Sequence, residues 1–193
     1  MVAMSAPAAR SQAKSAKLAP AEPCPDRKTY TGKYRNWVYG FSIIIPAGLK
    51  GYWNSARCAP DEKYGCVCMG DHGRFIPLAA DASIEAFVGH QMEDEWSVRD
   101  YENDEISDLR QKQGVRRVKV LSSKWIRLER LKGKRFTVQF TEENKEIVID
   151  HVIALHKGVE YELILRTLPD RYQRDRRQFE KVIGSWKLTP RAD

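Results

Sequence analysis

The sequence lacks any apolar run long enough to cross a bilayer. Its longest, Phe41 to Pro46, has the length of a strand, against the ~18–20 residues that a spanning helix requires. Motifs with built-in chemistry are missing too. There is no HExxH pair for zinc, no Gly-x-Ser-x-Gly elbow around Ser122-Ser123, no zinc finger and no helix-turn-helix. Large apolar side chains are scarce before residue 28. That segment is Ala, Ser, Pro and Lys, too poor in burial to offset the entropy of ordering itself. It reads as a flexible tail or tether (residues 1–28), followed by a single domain over 29–190. A basic start and apolar stretch are also missing from Met1-Val2-Ala3-Met4, so no signal peptide is visible. The opening residues read as a mature start whose signal, and with it any lipid anchor, was removed.

What the chain does have is unevenly distributed charge. Its net charge is +7, yet residues 81–109 carry ten acids against the single base Arg99, while residues 110–193 carry 21 bases against 11 acids. A uniformly basic protein would point to nucleic acid. This chain carries its own acidic segment, and internal complementarity is the plainer reading. The basic stretch Arg171 through Lys181 lacks the interleaved aromatics of a single-strand binder, so no nucleic-acid partner is expected.

Four cysteines are present: Cys24, Cys58, Cys66 and Cys68. Bridging Cys66 to Cys68 would close a strained ring. This leaves Cys58–Cys66 with Cys24–Cys68, or Cys58–Cys68 with Cys24–Cys66. Either pairing staples the tail and the 58–68 loop, a trait of periplasmic or secreted proteins. With Asp71 and His72 the same residues could supply zinc ligands, but the spacing departs from the two to four residues of paired finger ligands, so no metal and no cofactor are expected.

Periodicity organises the rest. Val38 to Ile45 is β-branched and aromatic, and Pro46 with Gly48 stops it. Residues 47–73 read as a long glycine-punctuated loop, and Arg74 to Leu78 as a short strand. Asp81 or Ser83 is expected to cap a helix carrying Ile84, Phe87, Val88, Gln91, Met92, Glu95 and Trp96 as a partial stripe, continuing to about Lys112 and ended by Gly114. From Arg116 the period becomes two. Val118 with Val120, and Trp125 to Leu128, give short strands; Phe136–Phe140, Ile147–Leu155 and Tyr161–Leu165 follow with tight turns between them, a meander with one wet face. A last helix buries Tyr172, Phe179, Val182, Ile183 and Trp186. The fold class is α+β: an antiparallel meander with helices packed on one face.

Three segments carry a family resemblance: Tyr39-Gly40-Phe41-Ser42-Ile43-Ile44-Ile45-Pro46, Tyr161-Glu162-Leu163-Ile164-Leu165-Arg166-Thr167, and Phe179-Glu180-Lys181-Val182-Ile183-Gly184-Ser185-Trp186-Lys187-Leu188. Over about residues 34–188 the chain resembles the PsbP-like family, which includes DcrB-type bacterial lipoproteins. The resemblance implies the fold, and a non-enzymatic role as an accessory subunit, envelope lipoprotein or chaperone-like adaptor. It implies no catalytic set. The cysteine-bearing loop 52–73 departs from the family pattern.

Candidate binding residues are Tyr52, Trp53 and Tyr64, aromatics flanking that loop, because aromatics add contact area at little entropic cost. Glu93, Asp94 and Glu95 form an acidic group able to occlude a basic cleft. His90 with Glu93 and Asp94 would share a helix face, but a solvated face explains them as well. His151 and His156 point to opposite sides of a strand, and Asp150 points away from His151. These readings favour a bacterial-envelope module that binds protein or ligand without turnover; the alternatives are an immunity-type inhibitor of a secreted toxin and an uncharacterised hydrolase.

Overall fold

A computed structural model describes residues 29–37, 39–49, 51–53, 67–69, 82–90 and 96–190. In chain order its elements are β1 (Thr29–Tyr30), β2 (Lys33–Asn36), β3 (Phe41–Ile44), β4 (Gly51–Trp53), β5 (Val67–Met69), β6 (Ser83–His90), α1 (Val98–Gln111), β7 (Val115–Leu128), β8 (Leu131–Glu142), β9 (Lys145–His156), β10 (Val159–Thr167), α2 (Tyr172–Ser185) and β11 (Lys187–Leu188). Two antiparallel sheets result. The larger runs β1-β4-β5-β6-β10-β9-β8-β7, and the smaller runs β11-β3-β2.

The meander β8–β9–β10 forms where period-two patterning meets left-handed turn residues. Glu143 and Asn144 both have positive φ, as do Lys157 and Gly158, the geometry that matches the twist of two antiparallel strands. Alternation then sorts side chains onto two faces. One face carries Val152, Ala154, Tyr161, Leu163 and Leu165, joined from β6 by Ile84, Ala86 and Val88. Phe41 and Ile43 of β3 and Phe179 and Val182 of α2 close over it, with Trp186. Trp186 stacks on Phe41 at 6.5 Å and meets Tyr161 edge-on at 5.3 Å, while Tyr161 Oη donates to the Tyr39 carbonyl at 2.9 Å. Each such buried side chain contributes ~1.5–3 kcal/mol from burial.

The opposite face carries Phe136, Val138, Phe140, Ile147 and Ile153, and α1 covers it with Tyr101 and Ile106. A capping box starts α1: Ser97 Oγ accepts from Asp100 N at 3.4 Å, and Asp100 Oδ2 accepts from Ser97 N at 2.8 Å. Gly133 lets β8 and β9 approach closely, because a Cβ there would lie 2.5 Å from the Ile153 carbonyl oxygen.

Several expectations are corrected. Ser83–His90 is a strand, not a helix: Ile84, Ala86 and Val88 alternate inward, and a flanking sheet edge on β10 rewards that period over the helical one. The helix begins later, at Val98, where the capping box supplies its start. The strand expected over Val38–Ile45 is β3, confined to Phe41–Ile44, and Gly40 in a left-handed turn joins it to the preceding β2. The expected loop 47–73 contains β4 and β5. The short strands of 116–128 are one 14-residue strand, interrupted by register shifts between Arg116 and Lys119 and between Val120 and Ser122. The two helices lie on opposite faces rather than one, so the meander has no wholly wet side. The expected strand Arg74–Leu78 lies outside the described residues. No described helix is long and apolar enough to cross a membrane.

Candidate functional site

Each face of the sheet holds a buried polar cluster. Under α2, Asp150 is fully buried and receives two bonds from the guanidinium fork of Arg135, Nε to Oδ1 at 2.8 Å and Nη2 to Oδ2 at 2.7 Å. Tyr172 Oη adds a third at 2.8 Å, and Arg135 Nη1 reaches Glu180 at 2.7 Å. Burial opposes the charge on Arg135, yet Asp150 and Glu180 more than offset it and hold its pKa above the ordinary value. Nearby, Thr167 Oγ1 donates to the buried Asp175 at 2.5 Å. Every partner here is spoken for, as a structural network requires.

Under α1 the balance is different. His151, Glu160 and Glu162 from adjacent strands are buried together, with Glu85 of β6 and Glu105 of α1 close enough to act on them. His151 Nε2 lies 2.6 Å from Glu162 Oε2 without the geometry of a hydrogen bond. Burial pushes Glu160 up to about 9, helped by Glu162, while Tyr101 opposes the shift. Burial likewise pushes Glu162 up to about 7, with Glu105 and Glu85 adding to it. Burial lowers His151 against the pull of the carboxylates around it. Glu160 Oε2 has no hydrogen-bond partner among the described residues. At the cluster's border Lys134 and Glu102 pair at 2.9 Å, both buried.

This cluster has the residue types of an acid–base site but not the access. His151 is only 1% exposed. The three described recesses, of about 280, 370 and 430 Å³, open at Tyr39 with His156, at Trp125 with Lys132, and at Leu168 with Lys145, and none is lined by His151. Among the described residues no group of three or more His, Cys, Asp or Glu is arranged to hold a metal ion.

The accessible feature is β7, the outermost strand of the large sheet. It bears Arg116, Arg117, Lys119, Lys124 and Arg127 and no acid, and it exposes Val120, Leu121 and Trp125. Trp125 is 45% exposed, with Lys132 Nζ 4.3 Å and Lys134 Nζ 5.2 Å from its ring centroid.

The residues singled out from sequence are dispersed. Tyr52 and Trp53 belong to β4, where Tyr52 pairs with Cys68 and Trp53 with Val67 across to β5. Tyr64, Glu93, Asp94 and Glu95 lie outside the described residues, as do Cys24, Cys58 and Cys66; Cys68 lies in β5. His90 ends β6, so the helix face proposed for it with Glu93 and Asp94 does not form. Asp150 and His151 do point to opposite faces, one toward each helix. Sequence reasoning missed Glu160 and Glu162, whose alternation with Tyr161 and Leu163 looks like a solvated strand face. It also gave Trp125 no part beyond a short strand; the signal that could have marked it was the bases near it.

No family model matches the sequence, and no curated protein matches it. Among solved structures, the chain is similar to the solution structure of cyanobacterial PsbP (CyanoP) from Synechocystis sp. PCC 6803, at a TM-score of 0.58 and 10% identity over 89% of this chain and 98% of that one. It is also similar to PA94 of Pseudomonas aeruginosa, a protein of unknown function, at a TM-score of 0.50 and 12% identity over 79% of this chain and 92% of that one. At such identity the likeness speaks for the backbone arrangement alone, and it agrees with the order of strands and helices above: the chain carries the PsbP-like α+β fold.

Proposed function

We propose that this chain is a non-enzymatic accessory module of the bacterial envelope that acts by binding another protein. The observation that carries the reading is the outer strand β7, which leaves Val120, Leu121 and Trp125 exposed and carries five bases. An aromatic anchor ringed by charge is the usual composition of a protein-binding surface. Against turnover stands the sealing of His151, a histidine placed among carboxylates. The envelope location, periplasmic or secreted, rests on the four cysteines and on residues 1–28 as a tether. The immunity-type reading drew its contacts from the acidic 93–108 segment, with Glu93, Asp94 and Glu95, or from the cysteine-bearing loop; the exposed apolar side chains of β7 belong to a basic strand instead.

The test is site-directed photocrosslinking in envelope extract, with the photoreactive residue at position 125 or, as a control, at position 177 on the exposed side of α2. A discrete adduct at 125 that is missing at 177, and that is lost with unlabelled protein but not with Trp125→Ala as competitor, supports the reading. Equal labelling at both positions overturns it.

A further inference from the structure

We infer that the partner adds an acidic, extended segment to the open edge of β7 as a further antiparallel strand, over Ser122–Leu128. This rests on the protein-binding reading above and specifies its mode and the chemistry of the partner. Three observations carry it.

The first is the edge itself. Beyond β7 no strand follows among the described residues, so one row of its backbone N–H and C=O groups faces outward. Natural edges are commonly blunted by bulges, and β7 has its register shifts only between Arg116 and Ser122. From Ser122 to Leu128 it pairs regularly with Thr137 through Leu131. That leaves a straight stretch of the length that strand addition uses.

The second is charge. Between Ser122 and Leu128 β7 carries Lys124 and Arg127 and no acid, with Lys132 beside them, so an incoming acidic strand meets complementary charge there. A second copy of this chain is disfavoured by the same fact, since edge-to-edge pairing would lay two basic strands together. Lysines on an edge repel most strands, and here they make the edge selective for an acidic one.

The third is the recess of about 370 Å³ lined by Trp125, Ile126, Arg127 and Lys132 at the regular end of the strand. Its lining of two apolar and two basic side chains suits a side chain of the added strand. Nucleic acid would use the charge and the indole but leave the backbone edge without a role.

The probe is a fluorescent peptide of about eight residues alternating threonine and glutamate, titrated into the full chain by anisotropy, with amide exchange followed by NMR. Strand addition predicts saturable binding and slowed exchange at alternate amides between Ser122 and Leu128. A proline-interrupted version of the peptide, which cannot donate to a ladder, should bind about tenfold more weakly. The surface variant Lys124→Glu/Arg127→Glu should lose about tenfold while its thermal unfolding stays that of the wild type. Equal binding of the proline-interrupted peptide, equal or tighter binding of single-stranded DNA, or exchange slowed elsewhere would each overturn the inference. If photocrosslinking at position 125 yields a specific adduct that the acidic peptide does not compete away, strand addition falls while the protein-binding function stands. If the adduct itself is missing, both fall.

Discussion

The two faces of one sheet solve the same problem in opposite ways. Beneath α2, Arg135 and Tyr172 satisfy the oxygens of Asp150 with three hydrogen bonds. Beneath α1, Glu160 and Glu162 have no such fork, and burial raises their pKa values until a proton does the work of a partner. His151, between them and Phe136, yields its own proton to burial. The buried carboxylates are therefore met by a cation on the first face and by raised pKa values on the second, which makes the second face sensitive to pH.

The sharpest way to break the comparison is to remove one partner on the paired face. Asp150→Ala leaves Arg135 buried without its fork and should cost about 3–5 kcal/mol of stability in urea unfolding. The double variant Arg135→Met/Asp150→Leu should recover to within about 1 kcal/mol of the wild type, since an apolar pair of similar bulk avoids the uncompensated charge. A double variant as unstable as the single one would mean that Glu180 and Tyr172 depend on the pair more than the geometry indicates.

On the other face the lever is pH. Carboxyl groups raised from 4.5 toward about 9 for Glu160 and about 7 for Glu162 hold more protons folded than unfolded. Their contribution is complete below pH 4.5 and is lost as pH rises through those values. The lowered His151 acts in reverse: its contribution is complete above 6.5 and is lost as pH falls through its folded value. A melting profile should therefore peak at mildly acidic pH and decline toward pH 9. Glu160→Gln should flatten the alkaline decline and raise Tm at pH 8 by about 2–4 °C, the equivalent of ~1 kcal/mol in a chain of this size. A profile as steep as that of the wild type would show that Glu160 is not the group being protonated.

The smallest effect belongs to the rim, where both faces end in solvent. Lys112 pairs with Glu142 at 2.8 Å, and Arg166 joins the same carboxylate. Burial opposes the Glu142 charge, but the two cations hold its carboxyl below the usual range. Lys112 is well exposed, so Lys112→Ala should cost less than ~1 kcal/mol by chemical denaturation, and less still in high salt.

How much of this was legible in the sequence depended on range. The period-two runs around Phe136–Phe140 and Tyr161–Leu165, broken by Asn144 and Gly158, specify β8 to β10 locally, and the apolar stripe Phe179, Val182, Ile183 and Trp186 specifies α2. Ser83–His90 was misread because Ile84, Phe87 and Val88 fit a helical stripe as well as Ile84, Ala86 and Val88 fit a strand; only pairing with β10 decides between them. The same limit hid the site. Glu160 and Glu162 look like solvated strand residues until α1 is known to lie over them, and Trp125 has no part beyond a short strand until β7 is known to be the last one.

By itself, then, the sequence determined the α+β class, the central meander and the closing helix, because those follow from side-chain periodicity and turn residues along a few consecutive positions. Tertiary structure alone decided that the helices take opposite faces, that two glutamates are buried against a histidine, and that β7 ends the sheet. Each of these is a relation between segments far apart in the chain, and burial, with the pKa values that follow from it, is set by what packs on top rather than by what stands next in line.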